Sequence, residues 1–206
     1  MNQILFFDIE VSESKKTIKD IGAIWNGTHF HKNSITEFAQ FVSNASTLCG
    51  HNIINHDLQI LENTIVSESL KNKLYIDTLY LSALLFAEKP YHKLIKDYKL
   101  FHVEAEFNNP VSDSKLCKEL LKDEIERFNS LDETLKTIYF LLLKDEKPFE
   151  GFFKLLNYSS TFVSISQSIH AKFKGRICQN AQLDDLVQNH KILLSFALAL
   201  INTERT

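Results

Sequence analysis

Five glycines and three prolines are all the backbone punctuation in a chain of 206 residues, where ordinary usage would supply roughly 14 and 10. A chain so seldom broken folds into regular elements, and long helices suit it best. An apolar fraction of 44% with 11% aromatics is a globular composition that excludes a disordered chain, and the length suits one domain or one domain with a helical appendage. Lys and Arg number 23 against 26 Asp and Glu, a formal charge of −3, which excludes a polybasic arm as the main device for holding nucleic acid. Cys49, Cys117 and Cys178 are odd in number and lack CxxC spacing, so neither a disulfide framework nor a zinc site is suggested, and a reducing, cytoplasmic setting is expected. No basic leader precedes Asp8 and no apolar run reaches the roughly 18 residues of a membrane span, so a soluble chain without a membrane partner is expected.

Periodicity divides the chain in two. Gln3 to Glu10 and Thr17 to Trp25 read as strands, Gly27 makes a turn, and Thr28 to His31 returns as a third strand. Ser34 caps a helix carrying Phe38, Phe41 and Val42; short strands at Thr47 to Gly50 and Leu74 to Ile76 then alternate with helices from Asp57 to Asn63 and from Thr78 to about Ala87. That alternation is α/β. Beyond Pro90, Lys93 to Tyr98 reads as a helix and Phe101 to Asn109 as a loop, and a long helical pattern follows from Pro110. After Pro148 the pattern is entirely helical, with segments at Val163 to Phe173 and Leu183 to Ile201, so a boundary is placed near residues 144 to 150. The apolar run Leu193 to Ile201 either docks onto the first part or leads into a longer protein.

The acids carry the chemistry. Asp8 and Glu10 stand at i and i+2 at the end of the most apolar strand, so their carboxylates leave one face about 7 Å apart along the backbone. Asp57 begins a helix, where an acid can be no more than a cap, and Asp113 sits in the first turn of another, where the helix dipole alone favours it. Each has an ordinary structural explanation, but the combination of D-x-E ending the first strand, N-x-x-x-H-D after a later strand and an Asp opening a helix is more specific. Four carboxylates can hold two hard divalent ions, Mg²⁺ or Mn²⁺, about 3.5 to 4 Å apart for phosphodiester hydrolysis. Acids so crowded repel, so some are expected to stay protonated until a cation binds.

In this order and spacing, residues 1 to 125 resemble the DEDD superfamily, the DnaQ-like 3′→5′ exonucleases with a ribonuclease-H-like mixed central sheet flanked by helices. Phe7-Asp8-Ile9-Glu10 resembles the first motif and Asp20-Ile21-Gly22-Ala23-Ile24 the strand after it. Gly50-His51-Asn52 through Asp57 resembles the second motif, with His56 where Phe or Tyr is common, and Asp77-Thr78-Leu79 resembles the link into the next helix. The resemblance implies that Asp8, Glu10, Asp57 and Asp113 are the catalytic metal ligands, that Ile9, Asn52 and His56 meet substrate, and that two Mg²⁺ or Mn²⁺ ions serve hydrolysis at DNA, or RNA, 3′ ends. One departure stands out. The superfamily's catalytic His falls at Asn108 and its alternative Tyr at Asn109, and neither asparagine can act as a general base. Proton removal then falls to a metal-bound hydroxide or to another residue, with His102 and His92 nearest, while His51 and His56 are expected to pack or hydrogen-bond.

The division expected is therefore an exonuclease-like domain over residues 1–145 and a helical extension over 146–206. The extension, through Phe149-Glu150-Gly151-Phe152-Phe153 and Gly175-Arg176-Ile177-Cys178, loosely resembles the segment that joins such a domain to a RecQ-type helicase in some bacterial fusion proteins, which would make a downstream helicase a partner. Lys89, Lys93, Lys96 and Lys99 with Tyr91 and Tyr98, and Lys172, Lys174 and Arg176, are basic clusters that read either as a nucleic-acid path or as solvated helix faces. No phosphate-binding loop motif occurs, so no nucleotide-driven motor is expected in the chain itself. The function expected is a metal-dependent 3′→5′ exonuclease, with a weakly active or inactive end-binding module as the alternative.

Overall fold

Alternate side chains of the first strand enter two different cores. In β1 (Ile4–Val11), Leu5, Phe7 and Ile9 join one buried cluster and Ile4 and Phe6 the other, as the two-residue period of a strand requires. The computed structural model describes residues 3–12, 17–94, 109–161 and 164–203. β1 is the middle of a five-stranded mixed sheet. On one side β2 (Ile18–Trp25) and β3 (Thr28–His31) continue it as an antiparallel meander; on the other β4 (Thr47–Gly50) and β5 (Leu74–Asp77) run parallel to it, giving the order β3-β2-β1-β4-β5. Asn26 and Gly27 both have positive φ, 49° and 78°, the conformation that a two-residue turn between right-twisted strands demands.

Helices cover both faces. Over the Leu5, Phe7, Ile9 face lie α1 (Ile35–Ser43), capped by the Ser34 side chain, then α2 (Asp57–Leu61) and α3 (Ser67–Leu70), which bury Phe38, Val42, Leu58, Leu61 and Leu70. The opposite face is packed by α4 (Thr78–Leu85), α5 (Pro110–Ser130), α6 (Glu133–Leu143) and α7 (Glu150–Leu156), with α8 (Ile165–Lys172), α9 (Leu183–Asn189) and α10 (Lys191–Asn202) outside them. The fold is thus the expected α/β class, a mixed sheet flanked by helices and followed by a helical C-terminal region, consistent with the ribonuclease-H-like class.

Several elements differ from expectation. The single helix read over Leu183 to Ile201 is broken at His190, whose φ of −137° ends α9 while its carbonyl accepts the first bond of α10. Asn189 and His190 are weak helix formers, and apolar spacing alone does not register such a break. The helix from Asp57 stops at Leu61, and α3 is a single turn, too short to show a period. Lys93 and Leu94 are not helical, and the rest of the helix and loop expected there lies outside the described residues.

Residues on both sides of position 145 share one core. Phe149, Phe152 and Phe153 of the α7 segment and Leu194, Leu198 and Ala199 of α10 belong to the cluster that begins with Ile4 and Phe6. Phe128 on α5 meets Phe152 and Phe153 edge-on at 5.5 and 5.7 Å, and Phe196 of α10 packs on Tyr80 and Phe149. The apolar run 193–201 is therefore docked on α4 and α6. Among the described residues, no helix is long and apolar enough to cross a membrane.

Candidate metal centre

Asp8 and Glu10 prolong the row begun by Ile4 and Phe6, so their carboxylates leave β1 on the face that α5 covers. α5 starts abruptly because Pro110 at its first position has φ set for a helix and Asn109 before it accepts from the N–H groups of Val111 and Ser112 at 3.0 and 3.3 Å. Asp113 is then one turn in, behind the Asn109 cap. What lets this turn approach the strands is Gly22, the register partner of Asp8 on β2. A Cβ on Gly22 would fall 2.7 Å from the Pro110 carbonyl oxygen and closer still to the Pro110 carbonyl carbon and the Val111 nitrogen. The buried Ser114 hydroxyl lies 3.1 Å from the Gly22 carbonyl and 2.8 Å from that of Pro110, holding the helix on the strand. As a result, one carboxylate oxygen each from Asp8, Glu10 and Asp113 lie within 4.8 Å of one another.

Asp57 stands just outside that tight group. Its carboxylate is buried: one oxygen accepts the backbone N–H of Ile9 at 2.9 Å, between Asp8 and Glu10, and the other is 3.3 Å from His56 Nδ1. Burial pushes the Asp57 carboxyl above the usual carboxylate range, with the His56 hydrogen bond pulling the other way; the same bond raises His56. Asp8 is displaced up to about 8, first by burial and then by repulsion from Asp57, Asp113 and Glu10. Asp8 therefore keeps its proton at pH 7 without a cation, which is the crowding expected from the sequence. The donors are hard oxygens alone and the charge they must share is negative, so the residues fit divalent ions such as Mg²⁺ or Mn²⁺.

The remaining expected site residues divide clearly. The Ile9 side chain is buried in the core on the far face, so only its backbone faces the acids. Asn52 has φ 65° and accepts from the side chain of Asn55, which also reaches the Tyr80 hydroxyl at 3.2 Å. His56 is exposed beside Asp57, with Asp8 and Glu10 also in its electrostatic surroundings. His51 is hydrogen-bonded to Thr78 at 3.0 Å and burial lowers it to about 4, so it is neutral at pH 7 and structural. His92 is bonded to Ser82 on α4. His102 and Asn108 lie outside the described residues, as do Lys96, Tyr98 and Lys99. Lys89 lies over the Phe86 ring at 4.1 Å and Lys172 pairs with Asp132 at 2.7 Å, so these two lysines have local partners. Sequence reasoning assigned no role to Ser114 and did not see what Gly22 admits; the signal available was a glycine inside a strand, which marks close backbone approach.

In comparisons with known protein families, with curated proteins and with solved structures, the chain finds no match.

Proposed function

We propose that the chain is a metal-dependent 3′→5′ exonuclease of the DEDD type, hydrolysing phosphodiester bonds at nucleic-acid 3′ ends. The observation that carries this reading is the convergence of Asp8, Glu10 and Asp113, from two elements far apart in sequence, into one oxygen cluster with Asp57 behind it. Divalent ions, when bound, would supply an activated water and offset charge at the leaving 3′ oxygen. In this reading the chain's own residues hold the ions and hold one another: Asp8, Glu10 and Asp113 present oxygens, Asp57 braces the strand through the Ile9 N–H, and the exposed His56 beside Asp57 is the side chain assigned to a backbone phosphate. DNA rather than RNA, and a helicase as downstream partner, rest on the sequence resemblance alone.

A second reading, an end-binding module that cuts slowly, is favoured by one observation. The Asn109 side chain is engaged in capping α5 and carries no titratable proton, so the position of the alternative Tyr offers no base. Digestion of single-stranded and recessed-end DNA with Mg²⁺ or Mn²⁺ tests both. The exonuclease reading expects mononucleotide release by the wild type and about 10²–10³-fold less by Asp8→Ala, the scale on which such charge-stabilising groups act; equal rates would remove Asp8 from the mechanism. If the missing base limits turnover, Asn108→His raises the rate with metal affinity unchanged.

A further inference from the structure

Asp77 ends β5 opposite Gly50, the last residue of β4, and it is fully buried. Its carboxylate accepts backbone N–H groups from two separate segments. Oδ1 takes the N–H of Leu79 at 3.0 Å, which is the N-cap of α4. The same oxygen takes the N–H of Asn52 at 2.9 Å, and Oδ2 takes that of Ile54 at 3.1 Å. The last two belong to the connection from β4 to α2 and owe nothing to capping. A cap needs one acceptor, and a serine supplies it without burying a charge.

The connection so held has little freedom. Asn52 is left-handed at φ 65°, and a Cβ on Gly50 would meet the Ile53 side chain and come within 2.8 Å of the Phe7 carbonyl. The bonds that start α2 spring directly from it: His56 N–H to the Asn52 carbonyl at 3.1 Å and Leu58 N–H to the Ile53 carbonyl at 2.9 Å. Between His56 and Leu58 stands Asp57, whose carboxylate reaches the Ile9 amide. Asp77 is tied in turn to the second half of the chain, donating its own N–H to the Pro148 carbonyl at 3.1 Å.

We propose that Asp77 is a positioning residue of the metal centre: its two carboxylate oxygens fix the β4–α2 connection so that Asp57 meets Ile9 beside Asp8 and Glu10, and loss of the two loop bonds weakens divalent-cation binding. This rests on the metal-centre reading above. Outer residues that orient ligands typically change metal affinity tenfold or more when replaced.

The test separates capping from positioning. Serine at position 77 keeps an acceptor for Leu79 but cannot span to Asn52 and Ile54; asparagine keeps one acceptor oxygen and loses the other. Mn²⁺ binding to the full chain is titrated by the paramagnetic resonance signal of free Mn²⁺ for wild type, Asp77→Asn and Asp77→Ser, with circular dichroism reporting the fold and amide exchange reporting the loop. Expected are affinities in the order wild type, Asn, Ser, with Ser roughly tenfold weaker, and faster exchange at Asn52 and Ile54 but not at Leu79. A folded Asp77→Ser chain with wild-type Mn²⁺ affinity overturns the proposal. If only the Asn variant folds, its unchanged affinity does the same, and unfolding of both assigns Asp77 a purely structural role. A wild-type chain that takes up no Mn²⁺ overturns the metal-centre reading itself and the proposal with it, an outcome distinct from equal binding by wild type and variants.

Discussion

A free aspartate gives up its proton near 3.9, whereas Asp8 keeps its own up to about 8 because it is buried among three other acids. A carboxyl raised on folding contributes stability that is fully present below its unfolded value and is lost as pH rises through the folded value. The cation-free chain therefore loses thermal stability between about pH 4 and pH 8 in EDTA, Asp8→Asn loses less over that window, and saturating Mn²⁺ restores the wild type at the alkaline end. Melting curves across pH check all three, and a midpoint unaffected by pH in EDTA contradicts the raised Asp8. Glu124 on α5 adds to the same slope from another place. It is fully buried, neither of its oxygens has a hydrogen-bond partner among the described residues, and burial pushes it well above the usual range. Glu124→Leu removes an unsatisfied buried carboxyl and so stabilises the chain by about 1–3 kcal/mol near neutral pH, leaving the Asp8 part of the slope in place. The D-x-E alternation was legible in sequence because it is local. The displacement of Asp8 was legible only as an expectation of crowding, since it depends on which acids meet.

Among the elements, the approach of α5 to β2 decides whether the centre exists. Gly22 serves space and not conformation: its added Cβ would strike the backbone of Pro110 and Val111, whereas Gly27, at φ 78°, has open space around it and serves the turn. Gly22→Ala must push the first turn of α5 off the sheet, since backbone cannot rotate aside as a side chain does. A cost of about 1–3 kcal/mol or more is expected, together with loss of Mn²⁺ binding as Asp113 moves away from Asp8 and Glu10. Denaturant midpoints and Mn²⁺ titration of the same preparation measure both, and a normally stable Gly22→Ala chain with full binding refutes this account of the contact. A glycine within a strand announces that something comes close, but the partner is a helix start 88 positions on, and nothing adjacent to Gly22 names it. The break at His190 was missed for a related reason: apolar residues keep helical spacing on both sides of it, while the turn depends on one residue's backbone.

Across the whole molecule, the helical second half is part of the sheet's covering. α7 lies so close to β5 that a Cβ on Gly151 would come within 2.6 Å of the Tyr75 carbonyl, and Phe152 is buried against Phe128 on α5. Phe152→Ala should cost about 3–5 kcal/mol and lower unfolding of the first half with it. Trp25, the sole tryptophan, lies on β2 and reports that half, so its fluorescence and the far-ultraviolet circular dichroism should move together; two separated transitions would make residues 146–206 an independent unit. By itself the sequence determined the five strands, the acids sharing one strand face and the helical character after Pro148, because these follow from periods of two and 3.6 residues that neighbouring positions express. Only the tertiary structure decided that Asp57 turns to Ile9, that Gly22 admits α5, that Asp77 holds the loop before Asp57, and that the last helices complete the core. Those are contacts between residues 23 to 116 positions apart, and spacing along a chain carries no record of what folds against it.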